Sequence, residues 1–352
     1  MKKHKMFFGI TILIACLAVV SVALSGSLPS TAFLSTKASS APVANSKATQ
    51  ATPPRKNERP SSFLASPLDV ERLTRSADLI VIGRVTGDGS FNVDKVVKGE
   101  TASNVIKMEF QPEVPTVFGP IEPSTLGMYF LVRNANGAYR PAEPAYPFLI
   151  TRADASLTEE PPLDRVVSII GQVLLKPGPI NDRRLAVEIL SGAPTDAATE
   201  LLRQAVRDKD DVIRMQSISA LLNRGDVETL AIAEPILLKA PAKTDDYLLQ
   251  NVASAVEGIK SPRAIPALQR LLRSSDSRTR ISAISAIRHM HVQEGVEALV
   301  IALGDANRDV RYEAVVGLAE LNKQDQWTPA VDAFAENEQR YLDHWKEWSR
   351  TR

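Results

Sequence analysis

The chain has 352 residues, of which 44% are hydrophobic and 24% charged, and its formal net charge is +1. This length is enough for two compact units, and the balanced charge excludes a strong overall attraction to nucleic acid. A single cysteine, Cys16, excludes an internal disulfide, and four histidines leave little for a closed zinc site or for imidazole catalysis.

Residues 1–26 have the pattern of an export signal. Basic residues at 2–5 precede an uncharged apolar run at 6–24, and small residues follow it. Because such a run is also near the length that spans a bilayer, a cleaved signal and a retained signal anchor both stay open. Residues 13–16 further resemble a bacterial lipobox, in which Cys16 carries the lipid. The alternative is that this cysteine is one more apolar residue of the run.

Residues 27–66 are rich in Ser, Ala, Thr and Pro and contain few large apolar side chains. Such a composition predicts a disordered tether, because too little apolar surface is available for burial. A coil of this length reaches roughly 30 to 35 Å, enough to hold a folded module away from an envelope surface. We therefore expect an exported protein, located in the periplasm or on the extracytoplasmic face of the membrane.

Residues 67–150 contain short β-branched runs separated by turn residues. The pattern predicts a mainly β module that opens with a short helix at 68–77. Strands are predicted at 79–85, 90–97, 105–110, 128–133 and 139–141. The turn residues at 87–89 and 134–137 favour hairpins between neighbouring strands.

The sequences SADLIVIGRV at 76–85 and VDKVVKG at 93–99 resemble the opening of netrin-like domains. In that family the two motifs lie on adjacent strands of an OB-like barrel, so the resemblance implies such a barrel over about residues 76–145. Tissue inhibitors of metalloproteinases, which carry netrin-like domains, have disulfides and an N-terminal cysteine that engages a metal. This chain has neither, which puts inhibition by that mechanism in doubt.

A small barrel of this kind also allows oligonucleotide binding through aromatic side chains on an open face. The alternative, which we favour, is that the strand aromatics are core residues. The side chains concerned are Phe91, Phe110, Phe118, Tyr129, Phe130 and Tyr139.

An apolar helix is predicted at 163–175, between two proline-containing segments, where it joins the β module to the second half of the chain. That second half repeats one short pattern five times, and the best preserved pair of copies is 31 residues apart. In that pair Leu268, Leu272, Arg280, Ala283 and Ile287 match Leu299, Leu303, Arg311, Ala314 and Leu318. This periodicity predicts a helical solenoid at 163–322.

Each unit is predicted to contain a first and a second helix. First helices are expected at 196–207, 227–238, 264–273 and 295–303. Second helices are expected at 182–190, 212–223, 246–259, 277–290 and 309–321. The third unit has leucine where the repeat arginine belongs and a longer link at 239–245, so we expect a kink or a loosened register there.

Residues 180–322 resemble HEAT repeats, in particular the short kind found in phycobilisome lyases. The family pattern is A-x-x-x-L-x-x-L in the first helix and D-x-x-V-R-x-x-A-x-x-A-L in the second. The resemblance implies a superhelix of helix pairs that binds other proteins along its surface. It also raises an enzyme alternative, the attachment or removal of a chromophore on a carrier protein, although a shared fold carries no activity with it.

Two sets of basic residues are candidate binding groups. Arg184, Arg214, Arg280 and Arg311 occupy equivalent repeat positions, where they either bond carbonyls and carboxylates of neighbouring turns or form an anion-binding ladder. The segment 260–288 contains Asp276 as its only acid and is strongly basic. Its predicted partner-binding residues are Arg263, Arg270, Arg273, Arg278, Arg280 and Arg288.

Residues 323–352 are expected to cap the solenoid, because Tyr341, Trp345 and Trp348 fall on one face of a final helix. No catalytic motif is present. His289 and His291 have no nearby cysteine or carboxylate cluster, and the segment 305–309 lacks the later residues of a calcium loop. We therefore expect no catalytic residue, no metal and no cofactor.

The sequence thus predicts a multidomain α+β protein, with a small OB-like barrel followed by an all-α HEAT solenoid. We interpret it as an exported, non-catalytic scaffold of a bacterial envelope. Its expected partner is a protein, acidic if the basic segment is the site, and only its N-terminal segment would contact a membrane; no nucleic acid is expected. The alternatives are an enzyme or chaperone related to bilin lyases, and an OB-like module that binds a ligand or a protease.

Overall fold

The computed structural model describes four segments of the chain, residues 68–87, 90–109, 124–243 and 245–352. The predicted signal at 1–26, with Cys16, and the tether at 27–66 lie outside the described residues, as do Phe110 and Phe118. In the described segments, every helix falls short of the length and apolarity that a bilayer crossing needs.

A curled antiparallel sheet forms the first half of the fold and confirms the predicted OB-like module. Its strands are β1 Leu79–Val85, β2 Ser90–Lys98, β3 Val105–Lys107, β4 Leu126–Arg133, β5 Tyr139–Pro141 and β6 Phe148–Leu149. The order is β3-β2-β1-β4-β5, and β6 also pairs with β4. The two ends of the sheet meet at a bridge between Met108 and Tyr139, where the amide of Glu109 donates to the Tyr139 carbonyl at 2.8 Å. The sheet is therefore a half-barrel whose edges touch at this bridge.

The two netrin-like motifs lie on β1 and β2, which are adjacent as the resemblance implied. Gly83 is required where β1 pairs with β2, because a Cβ atom there would lie 2.0 Å from the Asn92 carbonyl oxygen. Gly99 follows β2 with a φ of +78°, a conformation that glycine adopts without strain. The glycines of the motif thus permit close approach of the backbone rather than contact with a ligand.

The lysine of the second motif also has a structural partner. The Lys98 ammonium donates to the carbonyls of Thr74 at 2.9 Å and Ala77 at 2.5 Å, at the end of helix α1 (Val70–Ser76). These carbonyls have no partner inside the helix, so a cation beside them stabilises its C-terminus. The motif therefore joins the first helix to the sheet.

The two faces of the sheet belong to different cores. Leu79, Phe91 and Tyr129 pack inside the curl, and burial raises the pKa of the Tyr129 phenol. Ile80 and Phe130 face outward and join the apolar core of the helices. Because Phe91, Tyr129 and Phe130 are fully buried, they are core residues and are not available for stacking on bases.

The helices that follow the sheet form the predicted solenoid. They are α2 Pro162–Leu175, α3 Ile180–Gly192, α4 Asp196–Ala205, α5 Asp211–Asn223, α6 Val227–Leu238, α7 Tyr247–Ala255, α8 Ile265–Leu271, α9 Ser277–His289, α10 Val296–Ala302, α11 Arg308–Leu321 and α12 Val331–Arg350. The second helices α3, α5, α7, α9 and α11 pack side by side in succession. Helix α2 packs against α3 and α4, so the predicted connector also serves as the first helix of the first pair.

Side-chain caps begin the second helices α5, α7, α9 and α11, whereas α3 follows Pro179 and has none. Asp210 accepts from the Val212 amide at 3.0 Å, and Asp276 accepts from the Thr279 amide at 2.8 Å. In the third unit α7 is shorter than predicted, because the chain continues from Ala255 into a 3₁₀ turn at Val256–Gly258. This unit is the one that lacks the repeat arginine.

Helix α12 packs against α10 and α11 at the end of the stack. Phe334 and Trp345 are buried in the common core, and Trp348 contacts Trp345 with ring centroids 5.4 Å apart. The aromatic face predicted for this helix therefore covers the last helix pair of the described residues.

Candidate functional site

The structure does not bring the six predicted arginines into one patch. Arg280 lies inside the solenoid, where its Nε and Nη2 donate to the two carboxylate oxygens of Asp305 at 2.8 and 3.0 Å. Its Nη1 donates to the carbonyls of Ser274 at 2.9 Å and Ser275 at 3.2 Å. The side chains of Arg280 and Asp305 are only 13% and 11% exposed, so this arginine is occupied by the fold.

Arg288 has a structural partner set of its own. Its guanidinium donates to Glu320 at 2.7 and 3.0 Å and to Glu313 at 2.9 Å. The hydrogen bonds to Glu320 are the main reason that the pKa of Arg288 is raised, and the same contact lowers the pKa of the Glu320 carboxyl. These charges join α9 to α11 and leave no free cation for a partner.

Arg270 is paired within the fold but is also partly exposed. Its Nε and Nη2 donate to the two carboxylate oxygens of Glu234 at 2.5 and 2.8 Å, which links α8 to α6. The arginine side chain is half exposed, so an anionic group of a partner has access to it. It is neutralised in the free protein.

Arg263, Arg273 and Arg278 are exposed and make no side-chain hydrogen bond or ion pair with another described residue. They do not form a single cluster. Arg263 lies in the 3₁₀ turn before α8 and Arg273 follows the helix, so the seven residues of α8 separate them by about 10 Å along the axis. The basic residues of the segment 260–288 therefore lie at the two ends of one repeat and in its interior, and they do not form one patch.

The arginines of the ladder bond carbonyls and carboxylates of neighbouring turns, but one of the predicted members is not the residue that makes these contacts. Arg311 donates to the Asp305 carbonyl at 2.7 Å and pairs with Glu338, which repeats the contacts of Arg280 one unit later. In the first unit it is Arg183 that pairs with Asp208 across the neighbouring turn. Arg184, the predicted member, has a buried Nε without a partner among the described residues.

Arg214 shows why the ladder is interrupted in the middle. Its Nη1 donates to the Asp208 carbonyl at 3.0 Å, as in the other units, but its carboxylate partner is Asp211 in its own helix. The position 25 residues later, which holds Asp305 for Arg280, is Lys239 here. Unit three therefore offers a lysine where the other turns offer a carboxylate.

A different set of cations is both exposed and available. It lies on the turns that join the first helix of each pair to the second, and we call this side of the solenoid the turn edge. None of its cations has a side-chain hydrogen bond or ion pair with another described residue. They are Arg207, Lys209, Lys239, Lys243, Arg273, Arg278 and Arg308.

The acids of the turn edge are mostly occupied. Asp208 and Asp305 pair with arginines of the preceding second helix, and Asp210 and Asp276 cap the helices that follow them. Exposed acids such as Asp245 and Asp309 remain on the described turns, so the edge has a clear excess of free positive charge. Sequence windows did not show this excess, because paired acids separate the free cations in the chain.

A cavity of about 400 Å³ lies between the segment after the sheet and the start of α3. Arg152 and Asp154 on its wall pair with each other at 2.8 Å, and burial raises the pKa of the Asp182 carboxyl beside them. The segment 305–309, which begins like a calcium loop, has a structural role. Asn307 caps α11 through the Asp309 amide at 2.8 Å, and the described residues contain no cluster of His, Cys, Asp or Glu that suits a metal ion.

Comparison with known proteins identifies the repeats. The family model for HEAT repeats matches residues 233–319 and 268–345, which run from α6 into α12. No curated protein matches the chain.

The solved structures that are similar to this chain include three whose matches cover about half of it. An engineered protein is 22% identical, with 45% of this chain and 79% of that chain covered and a TM-score of 0.32. The complex of CpcE and CpcF of phycocyanin lyase from Nostoc sp. PCC7120 is 17% identical, with 51% and 70% covered and a TM-score of 0.36. The protein YibA of Escherichia coli is 20% identical, with 47% and 66% covered and a TM-score of 0.33.

The matched residues coincide with stacked helix pairs whose arginines link one pair to the next. Residues 233–345 of the chain contain HEAT repeats, in a solenoid that follows a curled OB-like sheet.

Proposed function

We propose that this chain is an exported, non-catalytic scaffold that binds other proteins through the surface of its HEAT solenoid. HEAT repeats generally mediate protein–protein interaction, because a stack of helix pairs presents a long surface that its own core does not use. The observation that carries the proposal is the separation of charges on this surface. Arginines such as Arg280 and Arg288 hold the stack together, whereas the cations of the turn edge are exposed and make no side-chain hydrogen bond or ion pair with another described residue.

The absence of catalysis is part of the proposal. The cavity between the sheet and α3 is lined by an arginine and a carboxylate that neutralise each other, and the half-barrel is filled by its own apolar side chains. Neither place combines a nucleophile, a base and an open position for a substrate. These features favour a binding protein over the lyase-like alternative and over a ligand site inside the curl.

The location is proposed from the sequence. The apolar run at 6–24 and the tether at 27–66 would deliver the folded part to the outer side of a membrane and hold it there if the run is retained. A protein partner is then expected in the periplasm or on the extracytoplasmic membrane face.

The test is crosslinking of the full-length protein in its native host, followed by mass spectrometry of the proteins that are captured. Fractionation of the same cells gives the location. Specific capture of the same extracytoplasmic proteins in repeated experiments would support the scaffold, whereas a cytoplasmic location or the absence of specific partners would contradict it. Bound pigment in protein purified from that host would favour the lyase-like alternative.

A further inference from the structure

We propose that the turn edge binds an extended acidic segment of a partner protein, a few residues at each repeat. This inference rests on the proposed scaffold function and names the chemistry of its partner. It starts from the seven free cations, which occupy the turns 206–210, 239–243, 272–276 and 303–307 together with the first residues of the helices that follow.

The four turns are neighbours in one row. The Ser274 hydroxyl donates to the Leu237 carbonyl at 2.8 Å, which places the third turn beside the end of α6. Arg280 reaches from α9 of the fourth unit to Asp305 in the fourth turn, and Arg183 reaches from α3 to Asp208 in the first. Since the second helices also pack side by side, their starting ends lie along the same side of the stack.

The spacing of the row fits an extended polypeptide. Packed helices lie about 8 to 10 Å apart, so four turns extend over roughly 30 Å. A chain in the extended polyproline II conformation advances about 3.1 Å per residue and presents every third side chain on the same face. A segment of about ten residues with an acidic side chain at every third position therefore places one carboxylate beside each turn.

The cations are available for this contact because most of the nearby acids already have partners in the fold. Each turn contains a carboxylate or amide that caps a helix or pairs with an arginine, such as Asp276 and Asn307. Arg273 and Arg278 project from the same turn without a partner among the described residues. A peptide carboxylate would thus gain a charge-assisted hydrogen bond without breaking an existing pair.

The row is narrow, which favours a polypeptide over a membrane. Exposed acids lie beside the row, including Asp245 and Asp309. A flat anionic bilayer would bring these carboxylates close to its own phosphates, whereas a single extended chain avoids them. Successive stacking of nucleobases needs several aromatic side chains, and Tyr247 is the exposed aromatic of this edge among the described residues.

The test uses the full-length protein and a labelled peptide of about ten residues with glutamate at every third position. The matched peptides carry glutamine instead, or the same number of glutamates at one end. The edge variant is Arg273→Glu with Arg278→Glu. Its control is Lys260→Glu with Arg263→Glu, which makes the same change of charge in the same repeat at the opposite end of α8.

We expect the spaced peptide to bind with a Kd that rises at least about tenfold in the edge variant and less than about threefold in the control. Binding should weaken when salt is raised from about 50 to 300 mM, because the contacts are exposed. Both variants should keep the melting temperature of the wild type, since the four side chains have no partner in the fold.

The inference is overturned by an equal loss in both double variants, by equal binding of the spaced and clustered peptides, or by no binding at all. It is also overturned if phosphatidylglycerol vesicles or a single-stranded oligonucleotide bind the turn edge more tightly than the peptide. If host partners crosslink equally well to the edge variant, the scaffold function stands and the acidic-segment inference fails. If the peptide binds as expected but the host yields no partner, the scaffold function is the one that fails.

Discussion

Arg280 holds both carboxylate oxygens of Asp305 across the boundary between two neighbouring helix pairs. The same guanidinium closes the turn before its own helix by donating to the Ser274 and Ser275 carbonyls. Arg311 and Arg183 make the corresponding inter-unit pairs with Glu338 and Asp208. The apolar seam supplies most of the stability of a solenoid, but these paired charges fix how far each unit is rotated and shifted against the next.

Replacing Arg280 by methionine should therefore destabilise the solenoid. The change leaves the mostly buried Asp305 carboxylate without its cation and frees two carbonyls, which we expect to cost about 2 to 3 kcal/mol. Urea unfolding followed by circular dichroism measures this loss. Arg278→Met is the matched control, because that side chain is exposed and unpaired among the described residues, and it should change stability by less than about 0.5 kcal/mol. Equal effects of the two substitutions would show that the ion pair does not stabilise the stack.

The pairing of β1 with β2 gives a second prediction, since Gly83 lies too close to the neighbouring strand for any side chain. Gly83→Ala should destabilise the protein by about 3 kcal/mol, because its methyl group would overlap the Asn92 carbonyl and the ring of Phe91. Gly87→Ala is the control, as a Cβ atom there meets nothing within 4 Å. Thermal unfolding of both variants decides the matter. A Gly83 variant that melts with the wild type would mean that the strands separate easily at this point.

The sequence was most informative where one face of an element is buried and the period of the pattern is clear. β1 and α6 begin and end at the predicted residues, and the second helices are found in all five units. The two-residue strand β6 was missed, because Phe148 and Leu149 are too short a run for any periodicity. Helix α7 was predicted too long, since a 3₁₀ turn and an α-helix place apolar residues at similar spacings over a few residues.

The site was less predictable than the fold for an identifiable reason. A window of sequence adds charges that the fold sends to different places, so Arg280 and Arg288 were grouped with the truly free Arg273 and Arg278. The turn edge has the opposite problem. Lys209 lies between Asp208 and Asp210 in the chain, but Asp208 pairs with Arg183 and Asp210 caps α5. Counting basic residues in each predicted turn, after removing helix caps and i,i+3 or i,i+4 pairs, was the signal that remained unused.

Lys98 supplies a third prediction, which tests the reading of the netrin-like motif. Lys98→Met removes the cation from the Thr74, Arg75 and Ala77 carbonyls while keeping most of the aliphatic chain. We expect a loss of about 1 to 2 kcal/mol and faster hydrogen exchange in α1, because the C-terminus of that helix loses its cap. The exposed Lys107 on β3 is the control, and Lys107→Met should leave both measurements unchanged. Unchanged exchange in the Lys98 variant would mean that the motif lysine has another purpose.

The last prediction concerns pH and the end of the solenoid. The His344 ring stacks on Trp327 with centroids 3.6 Å apart and bonds Gln324 at 3.1 Å, while Arg340 lies over the same indole at 5.4 Å. Burial lowers the pKa of His344 below its ordinary value of 6.5, since a partly buried ring disfavours the charged form.

The unfolded chain therefore binds a proton at a higher pH than the folded protein does. The neutral His344 ring makes its whole contribution to the free energy of unfolding above about pH 6.5. This contribution falls as the pH drops through the pKa of His344 in the folded protein, and it then levels off. Urea unfolding between about pH 7 and pH 5.5 measures this slope. His344→Phe keeps a stacked ring without a titrating group and should flatten the slope, whereas His289→Gln, at the exposed end of α9, should keep it. If the two variants have the same slope, the capping helix does not hold its histidine neutral, and the stacked ring is not what makes the end of the stack sensitive to acid.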